Sequence, residues 1–139
     1  MADPQIVFEA LDEAECRQLL GSRHFGRLGV VNDEGPLILP VNYVFDQGRV
    51  AIRTDPGTKL DAASLSRVAF EVDEVDEGSH TGWSVLVRGI GHEVTEALDV
   101  VSEAVRRLPV EPWAPGQKAH WIRVDPRTIT GRRLRPATT

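Results

Sequence analysis

The sequence predicts a mainly β domain, a small antiparallel barrel of about six strands with short helices attached. Three observations carry that expectation. Residues 36–45 alternate, with Leu37, Leu39, Val41, Tyr43 and Phe45 on one face and Ile38, Pro40, Asn42 and Val44 on the other. Turn signals at Asp33-Glu34-Gly35 and Asp46-Gln47-Gly48 tie this segment to a strand on either side, which makes a hairpin meander. Helical spacing is confined to a few short stretches between the strands.

Taken in order, residues 11–20 read as a helix. Asp12 can cap it, Glu15 follows three residues on, and Leu11, Ala14, Leu19 and Leu20 form a partial apolar stripe before Gly21-Ser22 ends it. Strands follow at 26–32, 36–45 and 49–54. Residues 58–66 make a short helix with Thr58 as N-cap, and 67–72 a further strand. The acidic run 73–80 reads as a solvated loop, and 83–95 as a long strand in which Gly89 and Gly91 suggest a bulge or a closing bend. Residues 97–108 carry Val100, Val101, Ala104, Val105 and Leu108 at helical spacing. A Pro-rich loop at 109–117 holds Trp113, and the last strand runs through 120–124 and 128–134. The whole chain, 1–139, is expected to be one domain, with 1–10 and 135–139 as flexible ends.

Composition narrows the function. Hydrophobic residues are 41% and charged residues 27%, an ordinary globular balance. A net charge of −5 argues against a nucleic-acid partner. The arginines at 127, 132, 133 and 135 read as salt-bridge partners or a solvated face. Cys16 is the single cysteine, so no intrachain disulfide forms and a reducing compartment is expected. The N-terminal residues lack the basic start and apolar run of a signal peptide, and no stretch reaches transmembrane length. The expectation is a soluble, cytoplasmic protein with no membrane partner.

Several familiar devices are missing. Gly89-Ile-Gly91 lacks the third glycine of a dinucleotide fingerprint, and there is neither a P-loop nor a nucleophile elbow. His24, His80, His92 and His120 lack metal-ligand spacing, so no metal is expected. What remains is the segment 49–60, which gathers Arg53, Thr54, Thr58 and Lys59 around Pro56-Gly57. Cations, small hydroxyls and free backbone N–H groups suit a phosphate monoester, although an ordinary strand-turn-helix with solvated charges looks the same. Pro40 removes one ladder donor, and Asn42, on the same face, offers both a donor and an acceptor. A flat heteroaromatic ring could pair with that backbone while its phosphate reaches Arg53 and Lys59. A proline that merely guards an edge strand fits equally well.

The pattern Pro40-Val-Asn-Tyr-Val-Phe-Asp-Gln-Gly-Arg-Val-Ala-Ile-Arg-Thr54, followed by Gly57-Thr-Lys-Leu60, Val68-Ala-Phe-Glu-Val-Asp73 and Gly82-Trp-Ser-Val-Leu-Val-Arg-Gly89, resembles the pyridoxamine 5′-phosphate oxidase-like proteins. These form the FMN-binding split β-barrel superfamily, and the subgroup resembled lies near the nitroimidazole-resistance reductases. Pro112-Trp-Ala-Pro-Gly116 and Ile129-Thr-Gly-Arg-Arg-Leu134 extend the likeness, which covers residues 11–134. The resemblance implies a six-stranded antiparallel split β-barrel and a homodimer with FMN at the subunit interface. It implies an isoalloxazine ring along Pro40, Val41, Asn42 and Tyr43, and a phosphate meeting Arg53, Thr54, Thr58 and Lys59. Residues from the partner chain are implied to complete the pocket, with Trp83, Arg88, Trp113 and Trp121 as candidates to cover the flavin.

The sequence departs from the family pattern where relatives often carry a histidine or aromatic residue (here Arg53) and a second basic residue (here Thr58). The basic substrate-phosphate site of true pyridoxamine phosphate oxidases is not evident, so vitamin B6 oxidation is not implied. The implied activity is an FMN-dependent oxidoreductase that moves electrons from a reduced nicotinamide to a small planar acceptor, with no catalytic side chain named. One alternative uses the deazaflavin F420 on the same fold, with Arg127, Arg132 and Arg133 as a basic groove for its tail. Another is a non-catalytic flavin or haem binder, with His24 or His92 as axial ligand.

Overall fold

The computed structural model describes residues 5–137. The alternating segments form one antiparallel sheet of eight strands. These are β1 (Ile6–Leu11), β2 (Phe25–Asn32), β3 (Gly35–Asn42), β4 (Val44–Asp46), β5 (Arg49–Thr54), β6 (Ser66–Asp76), β7 (Thr81–Glu93) and β8 (His120–Pro136). The helices are α1 (Glu13–Gly21), α2 (Thr58–Ala63) and α3 (Val100–Val105). The strand order is β3-β2-β6-β7-β8-β5-β4, with β1 added on β8. β3 and β4 stand at opposite ends of that path yet follow one another in the chain, so the sheet curls until its two outer strands meet at Tyr43. This is the split-barrel architecture that the family resemblance implies, with eight strands in place of the six expected because β1 and the short β4 are added.

The differences from expectation have local causes. The segment 36–45 divides at Tyr43, whose backbone N–H donates to the His24 carbonyl at 2.9 Å. The first strand was expected as a flexible end. Instead Ile6 pairs with Pro136 and Val7 with Arg135, and Glu9 is ion-paired with Arg135 at 2.6 Å. Residues 6–10 and 135–136 are therefore ordered by each other, a pairing between the two ends of the sequence that no local pattern announces; residues 1–4 and 138–139 lie outside the described residues. The acidic run continues as strand to Asp76 rather than leaving the sheet at 73. α3 starts late because the Asp99 side chain caps it, accepting the Ser102 N–H at 3.0 Å. α2 is capped by Gly57, not Thr58, which is its first residue.

Inside the curl lie Leu28 and Val30 of β2, Val50 and Ile52 of β5, Val68, Phe70 and Val72 of β6, Val85 and Val87 of β7, and Ile122 and Val124 of β8. Each such side chain stabilises the fold by about 1.5–3 kcal/mol relative to exposure. α1 adds Cys16 and Leu20, and burial pushes the Cys16 thiol up, with Asp12 next in effect. The bulge expected near the glycines is present: the β7–β8 register shifts between Arg88 and Gly89, where a Cβ would run into the Asp125 carbonyl. β8 is the hub, pairing with β7 along most of its length, with β5 through its first half and with β1 through its second.

Candidate ligand site at the open edge strand

β3 pairs only with β2, so Pro40 sits on an edge strand, where its missing donor leaves no gap in a ladder. The alternation divides the four residues read as a ring platform. Val41 and Tyr43 point into the core. The Tyr43 hydroxyl donates to the Leu20 carbonyl at 2.5 Å, its ring meets Phe70 edge-on at 4.7 Å, and burial lifts its pKa above the usual phenol value. Their side chains are thus structural, and Pro40 and Asn42 remain for the outer side.

Asn42 is held in place. Its Oδ1 accepts the backbone N–H of Trp113 at 2.9 Å, and its Nδ2 donates to the His24 carbonyl at 3.4 Å. Trp113 is 73% exposed and stacks on Phe25, with ring centroids 4.9 Å apart and planes within 6°. A flat aromatic surface therefore lies beside the open edge of β3, carried by the loop that follows α3.

The same loop reaches the cationic cluster, and Arg53 anchors it. Arg53 donates to the carbonyls of Lys118 at 3.1 Å, Val110 at 3.2 Å and Gln117 at 3.3 Å, and lies over the Trp121 ring at 5.4 Å. Three of the five N–H donors of a guanidinium are thereby committed to backbone, so Arg53 anchors the loop and keeps two donors uncommitted. Thr54 is buried and its hydroxyl donates to the Asp55 carbonyl at 3.1 Å. Thr58 remains exposed at the start of α2.

Lys118 supplies a cation that sequence reasoning missed. Its backbone N–H and its Nζ both reach the Asp55 carboxylate at 2.8 Å, and the Lys118 side chain is the main cause that holds Asp55 below the usual carboxylate range. A side chain at Gly116 would collide with the same carboxylate. Lys59 is half-buried; burial lowers its pKa, Lys118 lowers it further, and Asp55 partly offsets both. Among the described residues Lys59 has no ion-pair partner. Two ammonium groups therefore share one carboxylate, leaving a net positive charge where an anion fits. The only sequence signal for Lys118 is that it is the sole Lys or Arg between Arg107 and Arg123.

The remaining candidates lie in other grooves. Trp83 packs against the core, under the Arg23 guanidinium at 5.7 Å, and lines a groove of about 380 Å³ with Phe8, Glu71, Asp73 and Arg132. Arg88 stands on the outer face of β7. The three arginines considered for one basic groove are dispersed. Arg127 lies near Arg88, Arg132 donates to the Ser84 hydroxyl at 3.4 Å, and Arg133 pairs with Glu15 at 3.4 Å. Of the histidines considered as haem ligands, His24 Nδ1 is 3.3 Å from the Tyr43 carbonyl and His92 Nε2 is 3.4 Å from Asp125.

Comparison with known proteins identifies the family. An uncharacterised protein of Mycobacterium tuberculosis is 34% identical over 141 residues, covering 96% of this chain and 91% of the relative. The structure of a FAD-binding protein from Mycobacterium smegmatis superposes with a TM-score of 0.74 at 38% identity, covering 93% of this chain and 98% of that one. A FAD-binding protein from Mesorhizobium loti shares the fold, with a TM-score of 0.73 at 24% identity over 94% of this chain and 99% of its own. No helix among the described residues is long and apolar enough to cross a membrane. With the profile of the pyridoxamine 5′-phosphate oxidase family matching residues 12–133, the chain belongs to that family.

Proposed function

We propose that this chain is a flavin-binding oxidoreductase that takes electrons from a reduced nicotinamide and passes them to a small planar acceptor. The observation that carries the reading is the uncompensated charge of Lys59 beside Lys118, next to an open edge strand. A phosphate monoester carries about −1.5 to −2 charges, which matches that excess. Lys59, Lys118 and the Thr58 hydroxyl would hold the phosphate of FMN. The backbone at Pro40 and Asn42 would meet the ring edge, and Trp113 on Phe25 would cover the ring face. The FMN half is common to FMN and FAD, so the FAD-binding relative supports a flavin as the ligand. When bound, the flavin supplies the electron-transfer chemistry; the chain binds, orients and keeps water away. Because Arg127, Arg132 and Arg133 are dispersed, they do not favour F420. In this reading the protein is a homodimer, since Trp83 and Arg88 would meet a flavin only from a second copy.

Fluorescence titration with FMN tests the reading. Binding should be saturable, and Lys59→Ala or Lys118→Ala should weaken it by about 10- to 100-fold, the worth of one hydrogen bond to a charged group. Affinity that is unchanged in both variants would exclude this site. Anaerobic addition of NADPH should bleach the flavin band; a bound flavin that stays oxidised would mark a carrier instead of an enzyme.

A further inference from the structure

We propose that Lys59, beside Lys118, is a covalent attachment point whose amine condenses with a short aldehyde carrying one carboxylate. The first observation is compositional. Of the 16 Lys and Arg residues, only Lys59 and Lys118 are lysines. Far apart in sequence, both come within range of one carboxylate, that of Asp55, in a chain whose other strongly basic side chains are all arginine. Arginine matches an anion better in geometry, and it does not give up its proton. What lysine adds is an amine that can lose a proton and attack a carbonyl.

The surroundings give the two lysines different roles. Lys118 is fixed as a cation: its Nζ donates to Asp55 Oδ2 at 2.8 Å, and its backbone N–H holds Oδ1 at 2.8 Å. Its side chain is only 17% exposed. Lys59, the second residue of α2, follows the exposed residues Pro56, Gly57 and Thr58, so a small molecule reaches it from solvent. It makes no ion pair among the described residues. Burial holds its ammonium below the usual lysine range, with Lys118 next in effect and Asp55 in opposition. Desolvation and a neighbouring cation are what turn a lysine into a nucleophile.

The charges select the class of carbonyl compound. With Lys59 neutral, the cluster keeps Lys118 and Asp55, one charge of each sign. Of the three N–H donors of the Lys118 ammonium, Asp55 takes one, so two remain for a ligand oxygen. A single carboxylate suits them, whereas a phosphate dianion would leave a further charge unmatched. In the step, the Lys59 lone pair forms a C–N bond to the aldehyde carbon. The C–O bond breaks, and the oxygen leaves as water with the two amine protons, giving a neutral imine without an oxidant. The inference goes beyond the flavin reading and does not rest on it: here Lys59 acts as an amine, whereas phosphate binding uses it as a cation.

The test is reductive trapping of the full chain with glyoxylate and cyanoborohydride near neutral pH, read by peptide mass spectrometry. Nα-acetyllysine in the same tube is the reference for an unassisted amine. Hydride from the reagent and a solvent proton convert the imine to a stable carboxymethyl amine. Lys59 should be labelled about tenfold or more faster than the reference and than Lys118, the effect of roughly one pKa unit in favour of the free amine. Acetaldehyde, of the same length but without the carboxylate, should show a smaller excess. In Lys118→Gln, with folding checked by circular dichroism, the glyoxylate reaction at Lys59 should slow about tenfold, as loss of a charge-assisted contact predicts. Equal labelling of Lys59, Lys118 and the reference would overturn the proposal, as would faster labelling of Lys118. An excess as large with acetaldehyde, or a Lys118→Gln variant that reacts as the parent does, would overturn it too. Failure of FMN to bind would end the flavin reading and leave the trapping result standing.

Discussion

Tyr43 shows how one residue can offer its backbone to one side of a strand and its side chain to the core. It lies in the strand segment that a ring would follow, yet its hydroxyl serves the Leu20 carbonyl inside the core. Tyr43→Phe removes that donor and leaves a buried acceptor unpaired, which costs about 1–3 kcal/mol. The urea midpoint should fall accordingly while FMN affinity stays the same; an affinity that falls with stability intact would return Tyr43 to the ligand site. The inward direction of Val41 and Tyr43 was legible, because strict alternation places them with Leu37 and Leu39. The fate of Arg53 was not. Its acceptors, Val110, Gln117 and Lys118, are separated from it by 57, 64 and 65 residues, and nothing local reveals that three carbonyls converge there.

At the level of elements, the loop after α3 unites the candidate site. It is fixed to β3 through Asn42, to β5 through Arg53, and to the turn between β5 and α2 through Asp55 and Lys118. Arg53→Ala removes the middle anchor and should open the loop about tenfold more often, the equivalent of one charge-assisted hydrogen bond. Limited thermolysin digestion should then cut within residues 109–118 correspondingly faster; an unchanged cleavage pattern would show that Asn42 and Asp55 suffice. Hairpins and helices were legible because turn residues and caps are local. β1 was not, since its partner lies at the opposite end of the chain, and the division of residues 36–45 was set by a hydrogen bond to His24.

For the molecule as a whole, stability should depend on pH through Glu71. Burial raises its carboxyl from the ordinary value of 4.5 to about 7; bonding to Asp73 and its charge add to this, and Arg27 opposes them. The folded state therefore binds this proton more tightly than the unfolded chain, and the contribution to stability is complete below 4.5 and lost as pH rises through about 7. Glu71→Gln keeps the neutral form at every pH. Its melting temperature should exceed the parent's at pH 8, by an amount equivalent to roughly 1–3 kcal/mol, and match it at pH 4.5. An equal difference at both pH values would refute the assignment. A different consequence follows from the position of β8. The strand that joins β7, β5 and β1 is the final element of the sheet in sequence order. During synthesis the earlier strands leave the ribosome without their common partner, so the barrel cannot close until its last segment has emerged. Until then the nascent chain exposes unpaired edges of β5 and β7, which makes it a client for whatever shields such edges in the cell.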